Sequence, residues 1–261
     1  MTIHYLYNGT VALEYDDAAH SYVVEGVRIP SVTQVTDILN KPALVPWAAK
    51  MCAEWLRQNC PLDKPLSLEE LEDLANTMKG APNRMKVAAA EVGTLVHDFI
   101  LRHFTDNPMS LPDDGQARQA CMAALEFCDA HRIIPVAAEF KLYSRSLGYA
   151  GTADFYGTFD GEPCLIDWKS SAGIYPEMHA QTAAYLSAWC EEHVAPVCRR
   201  AIVRFDKHTG EFNPAKDVVW REVDEFDNDM DAFESMLVIR RWLDAQKPAR
   251  KTPLKLKKVA R

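Results

Sequence analysis

The sequence predicts an α/β protein: a mixed central β-sheet flanked by helices, with a helical insertion ahead of the sheet. Three observations lead there. An Asp160-Gly161 pair between two apolar runs is a strong short-range hairpin signal. Strand-like segments lie on both sides of that hairpin, between residues 136 and 223. Helix-type patterning with capping signals fills residues 31–105 and recurs after Pro176. With 261 residues, 48% of them hydrophobic, the chain has ample material for a core.

Taken in order, residues 11–15 and 21–24, followed by Glu25-Gly26, predict a small N-terminal β-meander. Ser31 or Thr33 then caps a helix towards Leu39, which Pro42 and Pro46 break. Residues 47–59 predict a second helix. Ser67-Leu68-Glu69-Glu70 is a capping box that opens a third, ending near Gly80. A longer helix starts at about Asn83 and runs through Phe104. On it Ala89, Gly93 and His97 are spaced four apart and share one stripe, and glycine there permits close approach of another element. A lone histidine on such a face is more often a core residue than a ligand.

Residues 136–143 alternate as a strand, turn at 144–148, and meet residues 149–154. A helix starts near Pro176, a residue suited to the first turn, and runs to about His193. Gln181 and Tyr185 fall on one face of it. Residues 197–205 and 218–223 finish the sheet around a turn-rich stretch at 206–210. Arg199, Arg200 and Arg204 either line a groove or form a solvated strand face. Asp224 caps a last amphipathic helix to about Gln246. Residues 1–246 are thus expected as a single domain, with a helical region at 31–105 and a core sheet at 130–223, followed by a flexible basic tail at 247–261.

The hairpin carries the chemistry. With Asp160-Gly161 as a two-residue loop, Phe159 pairs with Glu162, and Asp154 falls opposite Asp167 with about 5 Å between Cβ atoms. Lys169, two residues past Asp167, points to the same face. Pro163 signals an edge position or a bulge, and a bulge shifts the register by one. Two carboxylates beside a buried strand repel one another unless a cation joins them, and Mg²⁺ accepts carboxylate oxygens. Two acids and an ammonium so placed suit metal-assisted phosphodiester cleavage; the plain alternative is a pair of solvated strand ends with a surface ion pair. Ser170 and Ser171, at the strand-to-helix junction, can donate to phosphate. Glu139 either approaches this site or is an exposed strand residue paired with Lys141 or Arg145.

In order along the chain stand Ile29-Pro30-Ser31-Val32-Thr33, Gly93-Thr94-Leu95-Val96-His97, Gly151-Thr152-Ala153-Asp154, Asp167-Trp168-Lys169-Ser170-Ser171 and Gln181-Thr182-Ala183-Ala184-Tyr185. Together they resemble the PD-(D/E)XK nuclease superfamily, in the branch of RecB-type nuclease domains, the mitochondrial genome-maintenance exonuclease and phage exonucleases. The resemblance spans roughly residues 20–190. It implies a restriction-endonuclease-like core and a divalent-metal-dependent deoxyribonuclease. The expected activity is exonucleolytic, on single-stranded or free-ended DNA in recombination, repair or phage DNA metabolism. By resemblance Asp154, Asp167 and Lys169 are catalytic. His97, Asp154, Asp167 and the Trp168 carbonyl hold Mg²⁺ or Mn²⁺, with Glu139 as a further ligand through water or a group positioning Lys169. Ser170, Ser171, Gln181 and Tyr185 contact DNA, and the helical region 31–105 arches over the site. Imidazole suits Mn²⁺ better than Mg²⁺. A single-strand-annealing protein is the implied partner. An endonuclease of the same superfamily and a non-catalytic DNA-binding recombination accessory protein are the alternatives.

Composition narrows the setting. No apolar run is long enough to cross a membrane, and residues 1–8 carry no basic residue ahead of an apolar stretch, so no membrane partner and a cytoplasmic location, in a bacterium or a phage-infected cell, are expected. The seven cysteines include no Cys-x-x-Cys pair and read as free thiols of a reducing compartment; no iron–sulfur cluster is expected. Net charge is −8, yet residues 247–261 hold seven basic and no acidic residues, so the first 246 carry 22 basic and 37 acidic residues, a balance of −15. The tail is either a solubilising extension or an electrostatic arm for nucleic-acid backbone. A body this acidic meets DNA through a locally basic groove.

Overall fold

The computed structural model describes residues 1–39, 41–61, 64–105, 107 and 109–247. The tail from residue 248, to which the flexible-arm expectation belongs, lies outside the described residues. Among the described residues two sheets are present. β1 (Thr2–Leu6), β2 (Val11–Asp16), β3 (Ser21–Val24) and β4 (Val27–Ile29) form an antiparallel meander in that order, two strands more than the sequence patterning gave. Alternation sends Val11, Leu13 and Tyr15 inward, where they pack with Leu6, Tyr22 and Ala150. Polar contacts pin the meander to the rest of the chain. Tyr7 N–H donates to Glu192 Oε1 (2.7 Å), Tyr7 Oη donates to the Tyr143 carbonyl (2.8 Å), and the Arg145 guanidinium lies 4.1 Å over the Tyr7 ring.

Five helices follow. α1 (Val32–Thr36) is closed by a capping box in which Gln34 N–H donates to Ser31 Oγ (3.1 Å). α2 (Leu44–Asn59) begins before Pro46. The proline sits in its first turn, where a missing N–H forfeits no helical bond, so Pro46 does not break the helix. α3 (Leu68–Lys79) opens on the Ser67–Glu70 capping box and stops at Gly80. α4 (Ala81–Phe104) carries His97, and α5 (Gly115–Ala130) follows, capped by Asp114, whose Oδ1 accepts from Ala117 N–H at 2.8 Å. No helix was expected at α5. Its buried face is mostly alanine (Ala117, Ala120, Ala123, Ala124), which fits tight packing but gives little apolar contrast in sequence.

The second sheet is mixed, in the order β5 (Ile133–Ser144), β6 (Tyr149–Phe159), β7 (Glu162–Lys169), β8 (Arg199–Arg204), β9 (Val218–Arg221). Only β7 and β8 run parallel; α6 (Pro176–His193) makes the crossover between them. The remaining pairs are antiparallel. Apolar residues of α4 and α5 (Val96, Ile100, Phe127) pack with Phe155, Ile166, Trp168 and Phe205. Those of α1, α6 and α8 (Phe226–Gln246) pack with Leu142, Tyr149 and Leu165. The result is a five-stranded α/β sheet flanked by helices. A short helix, α7 (Pro214–Asp217), precedes β9. A 3₁₀ turn at Val223–Glu225 precedes α8, so Asp224 is not its cap; Glu225 takes that position without a side-chain bond.

One sequence reading of the sheet is sharpened and another changes. Pro163 marks no bulge of β7; it pairs only with Thr158 of β6, one residue before β8 joins at Cys164, so it holds a locally one-sided edge position where no N–H is required. Arg200 and Arg204 form neither a groove nor a solvated face. Arg200 is wholly buried and donates to Asp229 Oδ2 (3.0 Å) and the His179 carbonyl (3.2 Å), while Arg204 pairs with Asp217 and Asp206. Arg199 stacks 4.4 Å over the Trp220 ring. Of the seven free cysteines, Cys121, Cys164 and Cys198 are buried, and burial pushes the Cys121 and Cys164 thiols up to about 12. Among the described residues no helix is long and apolar enough to cross a membrane.

Candidate metal and active site

The β6–β7 hairpin places the acids. Asp160 and Gly161 both take positive φ (51° and 93°), as a type I′ turn requires, and Phe159 pairs with Glu162. The same register holds through Phe155 and Ile166, so the next positions, Asp154 and Asp167, are opposed. Asp154 is locked by the neighbouring strand, since Trp168 N–H donates to its Oδ2 at 2.7 Å. Trp168 thus reaches the site through its backbone while its ring packs among Phe104, Phe127, Phe155 and Phe205. Lys169 Nζ forms an ion pair with Asp167 Oδ2.

Glu139 and His97 arrive from two further elements, β5 and α4. A bulge in β5 between Pro135 and Ala137 shifts its pairing with β6 by one residue, which sets Glu139 level with Asp154. Glu139 itself is left-handed, with φ of 48°, an unusual state for a residue with a Cβ inside a strand. His97 Nδ1 lies 3.3 Å from Glu139 Oε1 and 3.3 Å from Asp154 Oδ1. One ligand atom from each of His97, Glu139 and Asp154 lies within 4.8 Å of the other two. Lys141 and Arg145 form no ion pair with Glu139; its side chain turns to His97 instead.

Charge in this cluster is redistributed by burial. Burial alone lowers the His97 pKa, but Asp154 and Glu139 outweigh it and raise it to about 10. Asp154 is pushed up by burial, yet His97, Lys169 and the Trp168 N–H hold it below the usual carboxylate range. Asp167 goes the other way, to about 6, because burial and the like charge of Asp154 exceed the help from Lys169. Lys169 stays charged, its burial opposed by Asp167 and Asp154. The donor set suits a divalent cation. Beside the two carboxylates and one imidazole stands a third, buried carboxylate, Asp167, whose Oδ2 is engaged by the Lys169 ammonium. His97, Glu139 and Asp154 could therefore hold a metal ion, with Asp167 adjacent.

The DNA-contact candidates are dispersed around this cluster. Gln181 and Tyr185 are both buried on α6, with Gln181 Nε2 donating to Tyr185 Oη at 3.0 Å. Burial and the nearby Asp167 and Asp154 raise the Tyr185 phenol well above its ordinary value. Ser171 Oγ donates to the Gly173 carbonyl (2.7 Å) and so shapes its own loop. Ser170 faces α4, where a Cβ on Gly93 would sit 3.4 Å from its Oγ; this is the close approach the helix stripe implied.

A cleft of about 470 Å³ opens on the cluster. His97 and Glu139 line it with Gly93 and Thr94 from α4, Lys141 and Thr152 from the sheet, and Tyr15 and His20 from the meander. An adjoining cavity of about 190 Å³ shares Tyr15, His20 and Thr152 and adds Ser31, Gly151 and Tyr185. Sequence patterning assigned no role to Tyr15, His20, Tyr22 or Thr152; a histidine at a turn position otherwise suited to glycine or asparagine was the available signal. A larger cavity, about 550 Å³ between Arg28, Gln34, Arg240 and Lys247, shares no residue with the acidic cleft. No protein-family model matches the chain, and no curated protein matches it either.

Proposed function

We propose that the chain is a divalent-metal-dependent deoxyribonuclease of the PD-(D/E)XK type, built on a restriction-endonuclease-like core and acting as an exonuclease on single-stranded or free-ended DNA. The observation that carries this reading is the gathering of His97, Glu139 and Asp154 ligand atoms within 4.8 Å, with Asp167 and Lys169 alongside, behind a cleft that His97 and Glu139 line. The mixed sheet, with Glu139, Asp154, Asp167 and Lys169 on three adjacent strands, supports it. The resemblance of the ordered motifs supplies the DNA substrate and the preference for ends.

A divalent ion held by His97, Glu139 and Asp154, with Asp167 and the Trp168 carbonyl as further oxygens, would polarise the scissile phosphate and lower the pKa of a bound water. The chain's own groups do the rest. Lys169 stays protonated, so it orients the attacking water by donation or neutralises charge growing on the phosphate. Asp167 holds that ammonium in place. Trp168 N–H fixes one Asp154 oxygen and leaves Oδ1 facing His97. α4 brings His97 over the carboxylates, while α2 and α3, which bury no residue completely, stand with it as the helical region proposed to guide the strand.

The test is incubation with Mg²⁺ or Mn²⁺ and end-labelled linear single strand, circular single strand and duplex. Loss of linear strand alone supports an exonuclease, cut circles an endonuclease, and retarded but intact DNA a binding protein. Lys169→Ala should abolish cleavage, by a factor of about 10² or more for loss of one charge-stabilising group. Substantial metal-dependent activity in that variant refutes the proposed role.

A further inference from the structure

The N-terminal meander closes one side of the acidic cleft. Tyr15 and His20 line the cavity that holds His97 and Glu139, and with Tyr22 they also line the adjoining one beside Gly151. His20 takes a left-handed φ of 43°, and its Nδ1 lies 3.0 Å from Tyr15 Oη. Strain of this kind persists only where the surroundings over-determine it. Glu139 is the other non-glycine residue on the cleft with positive φ, and it belongs to the metal group.

Among the described residues Lys141 is the one lysine or arginine that lines the cleft. Its Nζ lies 4.4 Å from the centroid of the Tyr15 ring. Among the described residues it has no ion-pair partner, with Glu139 and Asp17 acting on it only from longer range. Its cross-strand partner is Thr152, whose Oγ1 is 2.7 Å from Tyr22 Oη. Lys141 and Thr152 stand two residues along β5 and β6 from Glu139 and Asp154, a separation of about 7 Å at the rise of a strand. That is the scale of one nucleotide step in an extended strand.

Resting on the nuclease reading above, we infer that Lys141 and Thr152, walled by Tyr15 and His20 of the meander, form a subsite for the phosphate one nucleotide from the reacting one. An ammonium on an aromatic face, open to a cleft whose lining carboxylates, Asp17, Asp98 and Glu139, form no ion pair with it, binds phosphate as a point charge. The Thr152 hydroxyl adds a neutral donor. The meander then sets where the strand runs, and the metal group sets where it is cut.

Lys141→Met, Lys141→Arg and the wild-type chain are compared in two measurements: steady-state cleavage of a labelled single strand, and binding of that strand in Ca²⁺ across a salt series. The subsite predicts that Lys141→Met raises KM by about tenfold or more, the weight of one charge-assisted bond. It predicts kcat within about threefold, since the contact is made in ground and transition states alike. The slope of log affinity against log salt should shrink by about 0.7, one phosphate contact on a single strand. Lys141→Arg should restore both. A purely structural lysine would lower the melting temperature without changing the salt slope. If Lys141→Met fails to fold, Lys141→Gln is read by the same criteria. Wild-type cleavage with an unchanged KM and salt slope in the variant overturns the subsite and leaves the nuclease standing. A wild-type chain that neither binds nor cuts DNA overturns both.

Discussion

Divalent-metal binding should tighten by about tenfold per pH unit between pH 6.5 and 8.5, because a proton must leave His97 for each ion bound. In the metal-free protein the imidazole is held as imidazolium, with its pKa raised to about 10 by Asp154 and Glu139 against the cost of burial. An imidazolium has no lone pair for a metal. Each pH unit is worth about 1.4 kcal/mol, so the interval from pH 7 to the His97 value subtracts about 4 kcal/mol from metal affinity at neutrality. Asp167, raised to about 6, adds a second proton, and the dependence should steepen towards a hundredfold per unit as pH falls below 6.

The same shifts fix the pH dependence of stability without metal. The folded pKa of His97 is raised, so its contribution is full below the unfolded value of about 6.5 and lost as pH rises through about 10. Asp167 is also raised, so the folded state prefers its protonated form, and its contribution fades as pH rises from about 4 through 6. The depressed Asp154 acts oppositely, contributing above the unfolded value and losing that contribution in acid. From pH 5 to 10 the metal-free melting temperature should therefore fall. Calorimetric titration with Mg²⁺ or Mn²⁺, in buffers of different ionisation enthalpy, counts the protons directly: about one per ion at pH 7.5. In His97→Gln the count should drop to near zero. A wild-type affinity that stays flat from pH 6.5 to 8.5 refutes the reasoning.

Asp154→Asn should abolish cleavage and keep the fold, because the amide oxygen can still accept from Trp168 N–H. Asp154→Ala should also be inactive but less stable by about 1–3 kcal/mol, the penalty for orphaning that buried N–H; urea denaturation separates the two variants. Gly157→Ala should destabilise by about 3 kcal/mol or prevent folding, since its Cβ would stand 2.2 Å from the Ile134 carbonyl oxygen, a backbone atom that cannot turn aside. A Gly157→Ala protein with wild-type denaturation would show that the bulged strand is free to move.

Local chemistry made much of the architecture legible. The Asp160-Gly161 turn set the hairpin register, Ser31 and Ser67 marked helix starts, and Pro176 marked another. These signals act over a few residues, and nothing distant competes with them. What escaped depended on distant partners. Arg200 reads as a surface residue until Asp229, 29 positions away, neutralises it in the core. α5 buries a face of alanines whose fit depends on the helix beside it. His97, Asp154 and Glu139 were each nameable, but Glu139 was as well explained by a surface pair with Lys141. Tyr15 and His20 belong to a sheet that docks on the core through Tyr7, Tyr143 and Glu192, contacts no short-range pattern encodes.

Glu139 shows how two irregularities make one position. Below the bulge β5 pairs with β6 as Ile133 with Phe159 and Pro135 with Gly157; above it the pairing is Ala137 with Tyr156 and Phe140 with Ala153. Continued without the bulge, the first register would set Ala138 opposite Asp154 and turn Glu139 to the other face. The extra residue, Val136, is left 67% exposed, and Gly157 opposite has no Cβ to collide with the displaced backbone. The left-handed φ of Glu139 then aims its carboxylate at His97 rather than along the pleat. Removing either irregularity would leave Asp154 and His97 in place and take the third ligand away. The bulge, the glycine and the strained glutamate are therefore one device, and the metal group depends on it as much as on the acids of the hairpin.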